Sequence, residues 1–495
     1  MDSSQGMYSN CASRSGGGTA TEVSGFPQRQ LWRSFLAPSG RSLRIILALA
    51  LLFPMGRPVM GGTEMSDRVA KVGPAGADSF GADNLAIQAA IEEMARQGGG
   101  TVQLLPGTYL LQDSVHLRSN VRLVGSGERT VLRKAAQVSS AVVGYLGYGH
   151  YDVAVAEPDK FMVGMGVNIR NGQPSGFGET IATLVWRDGN RFGIDQMLND
   201  DCEGASGGVV FTGFPPVSGR FVANVEVRDL AIDGNKAQNP REMNGCRGGG
   251  IYLLAVKNAT ISKVLVHDVS GDGISFQQCT HVRVEDCRLE SNTGHGLHPG
   301  SGSVGAVMKR CQSKHNGRDG VFFCLRATYN ICDSCEFIGN GDHGVSIGDH
   351  DTNNSIVNCR IQSNAASGVF FRGTAEVDAP HVTLIAHNTI VDNCTQREEA
   401  EILIGAPVRD VHILDNTIGH REGRQSGNMF GVWAATGVKR AHVFGNRFQG
   451  AFTEQIVVEG DPGEVSFTEP EGSLSVGPQS APPGADRHLP PDVRD

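Results

Sequence analysis

Five positions spaced 23 or 24 residues apart, each directly before a glycine, hold Asp272, His295, Asp319, His343 and Ser367. Carboxylate and imidazole in alternation are groups whose proton affinities are set against each other at short range, which is what acid–base chemistry requires. A column that served stability alone would do as well with apolar, Asn or Ser/Thr side chains. Asp-Gly and His-Gly are also good turn formers, so a structural reading stands beside the chemical one. Two positions after the same glycines stand Ser275, His298, Phe322, Ser346 and Phe370. Gln277, Cys324 and Arg372 lie further along, with Arg326 just beyond Cys324. Five of the 15 histidines fall between His295 and His350, which concentrates titratable nitrogen in this one stretch.

The spacing comes from a repeat. The pairs Gly250-Ile251, Gly273-Ile274, Gly296-Leu297, Gly320-Val321, Gly344-Val345 and Gly368-Val369 recur at steps of 23, 23, 24, 24 and 24. Val264, Cys287, Cys311, Cys335 and Cys359 keep the same register, as do Asn292, Asn316, Asn340 and Asn364. Self-similarity at a fixed period of this length means a solenoid. Short alternating runs such as Val282–Glu285, broken by Asn, Gly and Asp, are strand-like. A unit of this length holds about three short strands and their turns. The fold class read from the sequence is therefore all-β, a right-handed parallel β-helix. Successive coils then stack about 4.8 Å apart. The Asn column reads as a ladder whose residues take the left-handed turn conformation and hydrogen-bond from coil to coil. The Cys column reads as small side chains pointing into the core, in poor geometry for disulfides.

A solenoid grows in one dimension, so 495 residues need not be several domains. Glycine, at 66 residues, is about twice its usual share, which suits a turn every few residues. The formal net charge of −9, without a basic tract, argues against nucleic acid as a partner. Cys332-Asp333-Ser334-Cys335 is a lone CxxC, and the second one that a zinc site of that type needs is absent. Residues 1–61 read as an N-terminal region with an export signal: Arg41 and Arg44 precede the apolar run Ile45–Phe53, too short for a stable membrane span. The expected location is periplasmic, cell-surface or extracellular. Residues 67–135 read as a cap and first coils, with one amphipathic helix from Ala82 to Gln97 whose stripe is Leu85, Ile87, Ile91 and Met94. Residues 140–222 break the period and read as a β-rich insertion, either lining a binding site or acting as a stabilising flap. Coils resume over 223–460, with looser columns at His387, Asn416 and Asn446, and residues 461–495 read as a disordered tail.

Three motifs in the first coils carry a resemblance. Gly98-Gly99-Gly100-Thr101-Val102, Leu105-Pro106-Gly107-Thr108-Tyr109 and Asn120–Gly127 resemble the N-terminal cap of the pectate-lyase superfamily of β-helix proteins, where a helix plugs the open end of the solenoid. The Asp-Gly-x-x-Asp-Asp-Thr run that precedes that helix in the superfamily appears here only as Ala77–Asn84. Gly271-Asp272-Gly273 and Gly294-His295-Gly296 look like two signatures of the polygalacturonase family. That family's Asp-Asp pair and Arg-x-Lys motif are not visible here. The resemblance thus implies a site location and leaves the reaction open.

The expectation is an enzyme acting on a polysaccharide that contains uronic acid. As a hydrolase, Asp272 and Asp319 would be acid and base, about 9.6 Å apart by backbone spacing, with His295 between them. As a lyase, His295 or His343 would be the base, and Arg326 or Arg372 would pair with a uronate carboxylate. His298, Arg326 and Arg372 are the candidate sugar-binding residues. Asp349 and Asp351, in the turn Gly348–Asn354, offer oxygen ligands to Ca²⁺, or are simply a surface turn. The rival is a non-catalytic polysaccharide-binding or surface-adhesion protein, in which the same columns only grip ligand.

Overall fold

The computed structural model describes residues 66–172, 177–373, 375–420 and 430–467, together with the backbone of 474–476. The segment expected to be an export signal and most of the C-terminal segment lie outside the described residues. Among the described residues no helix is long and apolar enough to cross a membrane.

The architecture is a right-handed parallel β-helix. One face is a 12-stranded sheet running from Val115–His116 through Ile274–Gln277, Leu297–Gly300, Val321–Phe322, Val345–Ile347 and Val369–Phe371 to Leu474–Val476. Its strands are parallel and in strict register, with Ile274 over Leu297, Leu297 over Val321, Val321 over Val345 and Val345 over Val369. Asp272, His295, Asp319, His343 and Ser367 each sit two residues ahead of these positions, so they form a true column. The other faces belong to a 23-stranded sheet. The core between them is mainly aliphatic, with Phe276, Phe323, Phe337 and Phe371 among its members, and continuous from Val72 to Val465.

The capping helix runs from Asn84 to Arg96 and is capped by Asp83, whose Oδ1 accepts the Ala86 N–H at 2.9 Å. It buries Ile87, Ala90, Ile91 and Met94. Leu85, expected in that stripe, is 67% exposed. Two residues of helix turn it about 200° away from Ile87, and Ala90 takes the inward place.

Two internal ladders set the coil spacing. Asn292, Asn316, Asn340, Asn364 and Asn393 are buried, and each Nδ2 donates to the Oδ1 of the next at 2.8–3.1 Å. These asparagines are not themselves left-handed. The residue before each one is: Ser291, His315, Gly339, Ser363 and Asp392 have φ between 54° and 65° across this set. The asparagine behind each bend residue turns inward, and its Oδ1 accepts the buried N–H of the asparagine one coil earlier. The cysteine column follows the same rule, behind Asp286, Arg310, Ser334 and Asn358. Its thiols are free, and each lies within hydrogen-bonding distance of a carbonyl, as in Cys311 to Val284 O at 3.3 Å. The next residue in that column is Asn388, which accepts the Cys359 N–H at 2.8 Å. His387, expected there, is the left-handed residue that precedes it, with φ of 58°.

Residues 139–211 form a six-stranded antiparallel sheet with its own small core around Val153, Phe161, Phe192 and Leu198. The chain rejoins the solenoid at Val217–Arg220. At the other end the solenoid passes the expected limit at 460. Val465–Phe467 pairs with Ala441–Val443, and Leu474–Val476 with Ile456–Val458. The Pro- and Gly-rich composition conceals these two short strands, because parallel pairing needs only three residues each. The rest of the expected tail lies outside the described residues.

Asn340 accepts the Asn316 N–H and Nδ2–H and donates to Ser313 O and Asn364 Oδ1. Asn340→Ala strands a buried donor and acceptors, and an expected loss of about 2–4 kcal/mol follows. Denaturant unfolding checks this, and a variant within experimental error of the parent would refute the ladder's role.

Candidate functional site

The Asp/His column is held by the backbone of the coil that follows it. Asp272 Oδ1 accepts the His295 N–H at 2.8 Å, His295 Nδ1 faces the Asp319 N–H at 3.2 Å, and Asp319 Oδ1 accepts the His343 N–H at 2.8 Å. At the end of the run Glu399 Oε2 accepts both the Ser367 N–H and its hydroxyl, at 3.1 and 2.7 Å. Asp272, His295, Asp319 and Glu399 therefore each meet a backbone N–H that the start of a neighbouring strand would leave unpaired.

Three of the column residues open onto one cleft of about 330 Å³: His295, Asp319 and His343. Phe322 and Phe370 line it, and each stacks on an imidazole, Phe322 on His295 at 4.2 Å and Phe370 on His343 at 4.5 Å between ring centroids. Arg372 also lines it, with its guanidinium 3.9 Å from the Phe322 centroid and a 2.7 Å hydrogen bond to Ser346 Oγ. Gly348 permits this path, since a Cβ there would lie 2.1 Å from Arg372 Nη2.

The cleft contains three charged groups that the sequence pattern did not single out: Arg318, Asp342 and Arg397. Arg318 and Asp342 are the residues just before Asp319 and His343, so they share one outward column. Arg397 comes from the loop after Asn393 and forms an ion pair with Asp342. The only sequence signal for that loop is the jump from a step of 24 between Asn340 and Asn364 to 29 between Asn364 and Asn393.

The two carboxyl groups of the cleft are pushed in opposite directions. Burial raises Asp319, but this is outweighed by the hydrogen bond from His295, the charges of His295 and His343, and the His343 N–H, so its pKa falls below the usual value. Burial and the nearby Asp319 charge raise Asp342 above the usual value, against the opposing pull of Arg397 and His343. His295 Nδ1 is 3.2 Å from Asp319 Oδ2 as well as from the Asp319 N–H. That nitrogen therefore faces a backbone donor and a carboxylate acceptor at once.

Asp272 and His298 are set apart from the cleft. Asp272 is 2% exposed, and its Oδ2 lies 2.6 Å from His298 Nδ1, itself 3% exposed. The charge of His295 and the hydrogen bond from His298 overcome the upward push of burial and lower the Asp272 pKa. The pair is roofed by the loop 239–248, where a Cβ on Gly245 would lie 1.9 Å from Asp272 Oδ2. Arg326 is exposed, with φ of 67°, and does not line the cleft. Asp351 is fully buried and spends both oxygens on backbone, accepting the Ala327 N–H at 2.8 Å and the Gly348 N–H at 2.9 Å. Burial raises its pKa to about 7. It is thus a turn-fixing residue, and of the two proposed Ca²⁺ ligands Asp349 alone is half-exposed. The aspartate that reads as a cation ligand in an acidic turn is drawn inward here because two buried N–H groups lack any other acceptor.

The insertion reaches the solenoid through Glu179, which is 1% exposed. It accepts from Asn168 Nδ2 at 2.7 Å and from the Asn244 N–H at 3.0 Å, and it pairs with Arg170. Arg247 adds a 2.7 Å bond to Phe177 O. These contacts fix the loop 239–248 over Asp272.

Residues 249–418 match the family described as right handed beta helix region, and residues 71–149 match rhamnogalacturonase A/epimerase, pectate lyase-like. No curated protein matches the chain. Among solved structures it is similar to the A-module of the mannuronan C-5 epimerase AlgE6 of Azotobacter vinelandii, at 16% identity over 78% of this chain and 96% of that one, with a TM-score of 0.47. It is similar to the polygalacturonase of Erwinia carotovora at 13% identity over 83% and 100% of the two chains, with a TM-score of 0.48. It is also similar to PfbA, a surface adhesin of Streptococcus pneumoniae, at 14% identity over 77% and 90%, with a TM-score of 0.46.

Glu179→Ala removes the acceptor that ties the insertion to the loop and leaves Arg170 without its partner. A loss of about 3–5 kcal/mol is expected. Hydrogen exchange should accelerate across 239–248 while the coils from 297 to 371 stay protected. Unchanged exchange in that loop would mean that the insertion does not hold it.

Proposed function

We propose that this right-handed parallel β-helix protein, pectate-lyase-like over residues 71–149, cleaves an acidic polysaccharide by acid–base chemistry in the His295–His343 cleft. The observation that carries this reading is one cleft lined by His295, Asp319, Asp342 and His343 together with Arg318, Arg372 and Arg397, in which the surroundings push Asp319 downward and Asp342 upward. Pairs of carboxyls driven apart in this way divide naturally into base and acid.

In the hydrolytic reading Asp342, protonated, gives its proton to the glycosidic oxygen as the C1–O bond breaks. Asp319, ionised, takes a proton from the water that forms the new C1–O bond. His295 steadies the Asp319 charge by donating from Nδ1, 3.2 Å from Oδ2. Three arginines in the same cleft, Arg318, Arg372 and Arg397, supply the positive charge that uronate carboxylates need. The stacked Phe322 and Phe370 give it apolar walls. Of the acid–base residues expected from the sequence, His295, Asp319 and His343 stay in this assignment, and Asp342 replaces Asp272 as the acid. A substrate of this class lies outside the cytoplasm, in keeping with the export signal expected in residues 45–53.

β-Elimination is the second reading, and the two imidazoles favour it. His295 would take the C5 proton of a uronate while an arginine neutralises the C6 carboxylate that makes this proton acidic. The C4–O bond to the neighbouring sugar breaks as the C4=C5 double bond forms, and the leaving oxygen takes a proton from water.

Purified protein incubated with acidic and neutral polymers, with and without Ca²⁺, distinguishes the readings. Hydrolysis yields reducing ends without new ultraviolet absorbance; elimination yields both. Asp319→Asn and Asp342→Asn are each expected to lose about 10²–10⁴-fold in turnover, and His295→Ala to lose turnover while still folding, with a lowered melting temperature because the Asp319 N–H loses its acceptor. The hydrolytic rate should fall as pH drops through the lowered pKa of Asp319, and fall again as pH rises through the raised pKa of Asp342. The optimum is therefore acidic. Polymer binding with no cleavage by the parent would leave the binding-protein reading, and full activity of either aspartate variant would remove this site.

A further inference from the structure

The Asp272–His298 pair is not needed by the cleft chemistry, yet it is among the most completely enclosed polar contacts in the solenoid. Its geometry has a direction. His298 Nδ1 is 2.6 Å from Asp272 Oδ2, so the carboxylate engages Nδ1 and Nε2 is the ring nitrogen left to meet another group. Nε2 is buried and has no hydrogen-bond partner. A buried ring nitrogen without a partner costs free energy unless something is meant to meet it. What lies in front of it is sulfur: one ring nitrogen of His298 and the Sγ atoms of Cys246 and Cys324 lie within 4.8 Å of one another.

We propose that Cys246, His298 and Cys324 form a binding site for one Zn²⁺ ion, a use of these residues separate from the cleft. Two thiolates and an imidazole are the ligand types this ion selects, and a tetrahedral site with bonds of about 2.0–2.3 Å holds such atoms about 3.3–3.8 Å apart. The ligands come from three separate parts of the chain. Cys246 is on the loop 239–248, His298 on Leu297–Gly300, and Cys324 one coil further on, where it bridges Gly300. Each is positioned by its own support. The Cys246 N–H donates to Asn244 Oδ1 at 2.8 Å, and its carbonyl accepts the Tyr252 hydroxyl at 2.9 Å. His298 is oriented by Asp272, the carboxylate–histidine arrangement that fixes the tautomer of a metal-bound imidazole. Gly245 has no side chain to block the approach of the loop to Asp272 and His298, where a Cβ would lie 1.9 and 2.6 Å away. Binding releases one proton from each thiol and leaves the two thiolates balanced by the dication. The site then staples the loop to two coils, with the His298 ring 5.2 Å from Phe322 of the cleft wall.

The test uses the full chain, purified under reducing conditions, stripped with a chelator and titrated with Co²⁺ and, in parallel, Zn²⁺. One equivalent of Co²⁺ should bind, with thiolate charge-transfer and tetrahedral ligand-field absorption, and Zn²⁺ should displace it and raise the melting temperature. Cys324→Ser and Cys246→Ser should each abolish the charge-transfer pattern of a two-thiolate site. Cys246 is only half-buried, on a loop, so its variant keeps the test alive if Cys324→Ser fails to fold. Asp272→Asn should weaken the ion about 10–100-fold without changing its spectrum. Cys311→Ser, in the core ladder, should leave uptake unchanged. The proposal is overturned if the parent takes up no metal, if uptake persists in Cys246→Ser, or if Cys246 and Cys324 are found joined as a disulfide in the protein as produced.

Discussion

A parallel coil stack depends on one condition: each coil must lie one strand spacing from the next, in the same register, along its whole circumference. Backbone hydrogen bonds meet this condition within the sheets but not at the bends, where the chain turns and N–H groups face inward. Here the bends are satisfied by side chains from the adjoining coil. Asn292 to Asn393 do so at one corner, and Asn330 with Asn354 do so at another. A left-handed residue precedes each member of the first ladder, and the repeated backbone cost is met by the repeated amide bond. The rest of the molecule, including where side chains can be placed for chemistry, follows from this requirement.

The acid–base column obeys the same logic. Asp272, His295 and Asp319 each receive the N–H of the next coil's column residue, as an asparagine would. Their second atoms are left for other work. In Asp272 that atom meets His298; in Asp319 it meets His295. One structural position thus supplies residues that are already rigid, buried and desolvated, the conditions under which proton affinities move furthest. Reactive groups on a flexible loop would have to be ordered first. These are ordered by the fold itself.

The same logic explains what the sequence discloses. The period of 24, the glycine column and the polar column are local patterns, so the solenoid, the capping helix and the line of Asp272, His295, Asp319 and His343 are legible. What needs contacts between distant segments is not. The period places Asp342 beside Arg318 in one outward column, but its partner Arg397 arrives from the loop after Asn393, which only the lengthened step from Asn364 to Asn393 marks. Asp272 is withdrawn from the cleft because the loop 239–248 closes over it, and that closure rests on Glu179 in the insertion, 93 residues earlier by sequence number. Cys246, His298 and Cys324 share no motif; only the fold juxtaposes them. Smaller misreadings have similar causes. Leu85 and His387 are one step of a helix or bend away from the expected face, and Asp351 is claimed by two backbone donors that a turn motif does not reveal.

The amide ladder has a further consequence. Every link from Asn292 through Asn364 spans the same 24 residues and offers the same donor below and acceptor above. A segment of that length can be duplicated or excised between two links and the cut ends will still meet. Such an event lengthens or shortens the cylinder without disturbing its cross-section, and it shifts the polar column by one storey. The gene has in effect a ruler built into it. Lineages of this chain can change how many sugar-sized steps separate cleft and cap while keeping the machinery of each coil intact.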